Sequence, residues 1–200
     1  MDLARPYFSV VGDSISTFQA YSPVGAEHYA PDLAGASGVA SVEDTWWMQV
    51  IRTLGGAYLS NISISGNTIC TEGKMGGFPP QRLGQLTAEG KTPDHILLYA
   101  GLNDVMFYIP PAVFQAEYLQ LLTNCGTLIL GEIPGTVNSL QGIIQRAEPY
   151  NAIIRQAVAE TGCHLVDLAA LRGRYHALDA FHPNRDGMAQ LAQLWLRAMK

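Results

Sequence analysis

Tyr7-Phe8-Ser9-Val10-Val11-Gly12-Asp13-Ser14 is an apolar run that stops on a glycine and turns polar at once. Its near-continuous hydrophobicity reads as a strand buried on both faces, ended by Gly12. The same pattern recurs along the chain. Tyr58 to Ser63 stops ahead of Gly66, His95-Ile96-Leu97-Leu98-Tyr99-Ala100 ahead of Gly101, and Thr127-Leu128-Ile129-Leu130 ahead of Gly131 and Pro134. His164-Leu165-Val166-Asp167-Leu168 is the last such run.

Amphipathic stretches separate these runs. Ser41-Val42-Glu43-Asp44 has the form of a helix-capping start, ahead of Trp46, Trp47, Val50, Ile51 and Leu54, with Gly55-Gly56 as the stop. Pro111 opens a segment with Val113, Phe114, Tyr118, Leu121 and Leu122 on one side. Pro149 stands where the first turn of a further helix is expected, before Ile153, Ile154, Ala157 and Val158. A final helix is expected from about Asp186 to Met199. Strand and helix alternating in this way imply an α/β fold, a parallel sheet covered by helices on both faces. Ligands then sit beyond the carboxyl ends of the strands, so the strand–loop junctions are where chemistry is sought.

The chain has 200 residues, of which 48% are hydrophobic and 14% charged. That fits one domain over residues 1–200 with a large core, and argues against disorder. The formal charge is −5 with no cluster of Lys or Arg, so neither nucleic acid nor an anionic membrane is an expected partner. The start of the chain lacks the pattern of a secretory signal, and no apolar run approaches the ~18 residues of a membrane span. Cys70, Cys125 and Cys163 are odd in number, which disfavours a disulfide framework and suits a reducing compartment. A cytoplasmic enzyme is the expectation.

Four junctions carry candidate chemistry. In Gly12-Asp13-Ser14 a serine that follows a buried strand can have its hydroxyl exposed and its own N–H free, as a nucleophile requires, although a turn serine capping a helix looks the same. Gly66 lets a backbone N–H approach an anion closely, or is a turn glycine. Asn103, in Gly101-Leu102-Asn103-Asp104, offers a neutral donor, or is a turn or cap residue. In Asp179-Ala180-Phe181-His182-Pro183 a carboxylate three residues away can fix the imidazole tautomer and leave its other nitrogen for a serine. Together they supply nucleophile, base, base-orienting acid and oxyanion donors, the inventory of acyl transfer.

In order and placement the four blocks resemble those of the SGNH, or GDSL-type, hydrolase family, across nearly the whole chain. The resemblance implies a flavodoxin-like three-layer α/β/α sandwich with a five-stranded parallel sheet. It also implies a triad of Ser14, His182 and Asp179, an oxyanion hole from Ser14 N–H, Gly66 N–H and the Asn103 side chain, and no metal or cofactor. Ile15 stands where the family often has Leu, and Leu102 where glycine is frequent; both changes bear on pocket shape. An α/β-hydrolase elbow is a poorer fit, since Ser16 stands where its second glycine belongs.

The resemblance implies a carboxylic ester hydrolase, and a small chain without a recognisable hydrophobic lid points to short acyl groups, including O-acetyl on carbohydrate. Longer-chain thioesterase or lysophospholipase activity is the alternative, and a non-catalytic carbohydrate-binding relative the rival from another class. The long stretch 16–41 and the loops at 75–79 and 106–109 are placed to shape specificity, which makes Tyr21, His28, Tyr29, Phe107 and Tyr108 candidate substrate contacts. His28, His95 and His164 have no ligand-like spacing with cysteine or carboxylate, and His176 reads as an exposed loop residue. Asp13 reads as a hydrogen-bond acceptor bracing its loop. Oligomeric state is not legible.

Overall fold

The computed structural model describes residues 5–72, 76–123, 128–131, 141–172, 174–179 and 181–199. Met75, Cys125, Thr127 and Pro134, used in the reading above, lie outside them.

Five strands pair in parallel in the order β2-β1-β3-β4-β5. They are β1 (Tyr7–Gly12), β2 (Ala57–Asn61), β3 (His95–Tyr99), β4 (Leu128–Gly131) and β5 (His164–Val166). The central β1 and β3 are the buried ones: Phe8, Val10, Val11 and Ile96 to Tyr99 are all inaccessible, as two-sided burial of apolar runs requires. They are in register from Phe8–His95 to Gly12–Tyr99. The edge strand β2 is only half-buried along most of its length.

The helices are α1 (Trp46–Thr53), α2 (Pro80–Leu83), α3 (Leu102–Met106), α4 (Pro111–Thr123), α5 (Gln141–Thr161) and α6 (Arg185–Ala198). The chain moves one way from β1 to β2 and the other way from β3 through β4 to β5. With right-handed crossovers that reversal puts α1 on one face and α4 and α5 on the other. The packing agrees: α1 lies against α6, with Trp46 stacked on Trp195 at 4.5 Å, while α3 and α4 lie against α5. The strand order reverses between β1 and β3, the switch point at which open α/β sheets bind ligands.

Of the expected boundaries that shift, three have a clear local reason. The second strand ends at Asn61, whose Oδ1 accepts from Ser63 N–H and whose Nδ2 donates to Ser16 O, so the chain turns before Ser63. The Ser41–Asp44 capping pattern serves a separate single turn, and Thr45 caps α1 through Oγ1 to Met48 N–H. Pro149 lies inside α5, eight residues past its start, and so does not open that helix. Among the described residues, no helix is long and apolar enough to cross a membrane.

Candidate active site

Ser14 leaves the end of β1 in a tight turn that many bonds fix. Asp13 Oδ1 accepts from Ile15 N–H at 3.1 Å, Ser16 N–H returns to Asp13 O, and Thr17 donates to Ser14 O from both N–H and Oγ1. The turn's far end is held by Asn61 Nδ2 on Ser16 O at 2.7 Å and by Trp46 Nε1 on Ser16 Oγ. Gly12 is forced by this compactness, because a Cβ there would sit 2.5 Å from Ser16 Oγ and 2.7 Å from Tyr99 O. Asp13 thus braces its loop, as its position in the sequence implied. Burial, opposed by the Ile15 N–H and reinforced by nearby Asp104, pushes its carboxyl up to about 7.

His182 arrives from the loop ahead of α6. Its Nε2 lies 2.9 Å from Ser14 Oγ and its Nδ1 lies 2.8 Å from Asp179 Oδ2. Asp179 is itself aimed by the backbone, since its Oδ1 accepts from the N–H of Phe181 and of His182 at 2.7 Å each. Burial works to raise this carboxyl, but the two N–H groups and the imidazole outweigh it and hold it below the ordinary carboxylate range. A neutral imidazole whose Nδ1 donates to a carboxylate offers its other nitrogen as an acceptor, and Ser14 Oγ is where that acceptor points.

Ser14, Gly66, Asn103 and His182 line one cleft of about 250 Å³. Gly66 has φ of +78°, a left-handed turn that favours glycine, and neither its N–H nor that of Ser14 meets a protein acceptor among the described residues. Asn103, in the first turn of α3, donates through Nδ2 to Asn67 O at 2.8 Å. The rest of the wall is mainly apolar: Ile15, Leu102, Met106, Phe107 and Phe181. Ile15 and Leu102, the two departures from the common family pattern, both line this cleft.

The anticipated substrate contacts divide. Phe107 lines the cleft. Tyr108 faces a neighbouring groove, where its hydroxyl accepts from Arg146 Nη1 and its ring lies under the guanidinium. Tyr21 packs against Phe18, Trp47 and Tyr58, away from the cleft. Tyr29 is buried, and its hydroxyl donates to Pro183 O at 2.9 Å, so it braces the loop bearing His182 and leaves no surface for substrate.

His28 has an intimate position that sequence spacing gave no hint of. Its ring stacks on His182 with centroids 3.6 Å apart and planes 15° from parallel. Nitrogen and oxygen atoms of His28, Asp179 and His182 all fall within 4.8 Å of one another, a grouping able in principle to take a metal ion. A chelated ion lies in the plane of each imidazole it binds. Two rings stacked this closely point their lone pairs side by side, away from any common centre, so the geometry fits stacking better than chelation.

The profile of the GDSL-like Lipase/Acylhydrolase family matches residues 10–190. The chain belongs to this family. Its GDSL-type fold is also seen in solved structures at low identity. A protein described as a GDSL-like lipase from Bacteroides ovatus has a TM-score of 0.74 at 20% identity, covering 98% of this chain and 99% of that one. A member of the lipolytic G-D-S-L family from Veillonella parvula scores 0.66 at 17%, with 96% of each chain covered. Axe2, an acetylxylan esterase from Geobacillus stearothermophilus, scores 0.60 at 18%, covering 100% of this chain and 96% of that one. No curated protein matches the sequence. At these identities the likeness is one of fold.

Proposed function

We propose that this GDSL-family chain is a serine esterase that hydrolyses short-chain carboxylic esters through an acyl-enzyme, with residues 1–200 acting as one catalytic domain. The observation that carries the reading is the unbroken relay Ser14 Oγ–His182–Asp179 at 2.9 and 2.8 Å, opening on a cleft that Gly66 and Asn103 also line.

His182 Nε2 takes the Ser14 proton as Oγ attacks the ester carbonyl, and Asp179 steadies the imidazolium that results. The tetrahedral oxyanion is held by Ser14 N–H, Gly66 N–H and an Asn103 Nδ2 hydrogen. The carbon–oxygen bond to the alcohol then breaks, His182 hands its proton to the departing alkoxide, and the acyl group stays on Ser14. Water repeats the sequence, releases the acid and restores Ser14. The cleft's size supports a short acyl group, because ~300 Å³ marks the lower end of ordinary small-molecule sites. Its apolar wall suits an alkyl chain.

An acetyl group on a sugar is the second reading. Phe107, 44% exposed at the edge of the cleft, offers a ring face against which a sugar can lie.

Labelling by a fluorophosphonate probe tests the nucleophile: wild type labels and Ser14→Ala does not. A folded wild-type sample that fails to label would favour a non-catalytic binding role. Acetyl, butyryl and octanoyl nitrophenyl esters, run beside an acetylated sugar, assign the acyl group. An octanoyl preference would remove both the short-chain and the sugar readings, and leave the longer-chain thioesterase or lysophospholipase.

A further inference from the structure

We infer that His28 is a positioning residue for His182, its stacked ring holding the base between Ser14 and Asp179; this rests on the esterase reading above. The two in-plane hydrogen bonds of His182 fix where its nitrogens point but resist tilting of the ring only weakly. A second ring 3.6 Å away and 15° from parallel covers the face and blocks that motion. Phe181 and Tyr29 meet the same imidazole edge-on at 6.4 Å, so among the described residues the parallel contact is His28's own.

The loop that delivers His28 is built against the relay at several points. His28 N–H donates to Thr17 Oγ1 at 2.8 Å, and that hydroxyl donates to Ser14 O at the same distance. The next residue, Tyr29, donates to the carbonyl of Pro183, directly after His182. Ser65 N–H reaches back to Ala26 O, which ties the Gly66 turn to the same loop. The nucleophile turn, the base and one oxyanion donor therefore share a brace, and His28 is where it touches the base.

The charge state suits the role. Burial, with His182 adding to it and Asp179 opposing, pushes the His28 imidazole down to about 4. It is neutral where an esterase of this kind works, so it presents an uncharged face to the imidazolium formed during turnover. A protonated ring at that separation would repel it.

His28→Ala and His28→Phe separate the possibilities in steady-state hydrolysis of nitrophenyl butyrate, with the melting temperature of each variant recorded. The alanine variant is expected to lose kcat about 10- to 100-fold with KM nearly unchanged, because the base is loosened while the cleft is not. Phenylalanine restores a flat face and is expected within about three-fold of wild-type kcat. Wild-type kcat in the alanine variant, or equal impairment in both variants, overturns the proposal. A second readout does not depend on turnover. The proton between His182 Nδ1 and Asp179 gives a downfield NMR signal, expected sharp in wild type and His28→Phe and broadened in His28→Ala. An unchanged signal in His28→Ala would count against the inference even if the wild type proved to have no esterase activity, whereas loss of labelling and hydrolysis in the wild type would sink the esterase reading alone.

Discussion

One hydrogen of the Asn103 amide is taken by Asn67 O, and the other is left for the cleft. Asn67 is held in turn: its Oδ1 accepts from Arg82 Nη1 at 2.8 Å, and Arg82 also donates to the carbonyls of Ile62 and Gly77. A buried guanidinium with no carboxylate partner among the described residues is costly unless its hydrogens are used, and here burial pushes it down to about 10 while three oxygens receive it. The arrangement fixes the direction of the Asn103 donor before any substrate arrives, which is the condition for a donor to act on the transition state. Asn103→Ala is therefore expected to lower kcat by roughly 10²–10³ with a much smaller change in KM. A rise in KM at constant kcat, measured on the same ester, would assign Asn103 to substrate binding instead.

Helix α5 is the element with an unresolved local conflict. Pro149 has no N–H to give to Gln145 O and its ring crowds that carbonyl, yet the helix continues for twelve more residues to Thr161. Ala147, Tyr150, Ile154 and Ala157 are all buried, so packing of this stripe carries the helix across the break. Pro149→Ala is expected to raise stability by about 1–2 kcal/mol, the restored bond exceeding the lost stiffness of the unfolded chain. An unchanged or lower urea midpoint would mean that the Gln145 carbonyl has another partner. The same helix shows where sequence reading stops. Proline is so common in a first turn that Pro149 reads as a start, although the apolar spacing from Ala147 to Ala157 crosses it. Strands β1 and β3 are legible because two-sided burial leaves no polar alternation to confuse them. The five residues of α3 and four of α2 are too few to establish a period, so Asn103 reads as a turn residue where it begins a helix. The relay is legible because Gly12-Asp13-Ser14 and Asp179-x-x-His182 are each local in sequence. His28 and His182 are 154 positions apart, meet only through the folded 16–41 loop, and share no spacing that marks the contact.

For the molecule as a whole, these internal groups set opposed dependences of stability on pH. His28 titrates near 4 when folded and at 6.5 ordinarily. Between those values the unfolded chain takes up a proton that the folded one refuses, so its contribution is complete above about 6.5 and is lost as pH falls toward 4. Asp13 moves the other way, from 3.8 to about 7. The folded state keeps a proton there that the unfolded state has released, so stability drops as pH rises across nearly the same window. Buried Asp104, also raised by desolvation, adds to the Asp13 side, and Asp179, held low, adds to the His28 side. His182 and Asp179 face His28 from the loop ahead of α6 and Tyr29 from its own loop, and His28→Phe leaves all three in place. Removing the imidazole should thus weaken one of the two opposing slopes and leave the other intact. Urea unfolding at about pH 4.5 and about pH 7.5 is expected to show the phenylalanine variant gaining on the wild type at the lower pH, because only the wild type must keep a half-buried imidazole unprotonated at position 28 there. A stability difference that stays the same at both pH values would mean that His28 titrates alike in the folded and unfolded chain, and that its ring is less enclosed than its stack on His182 requires.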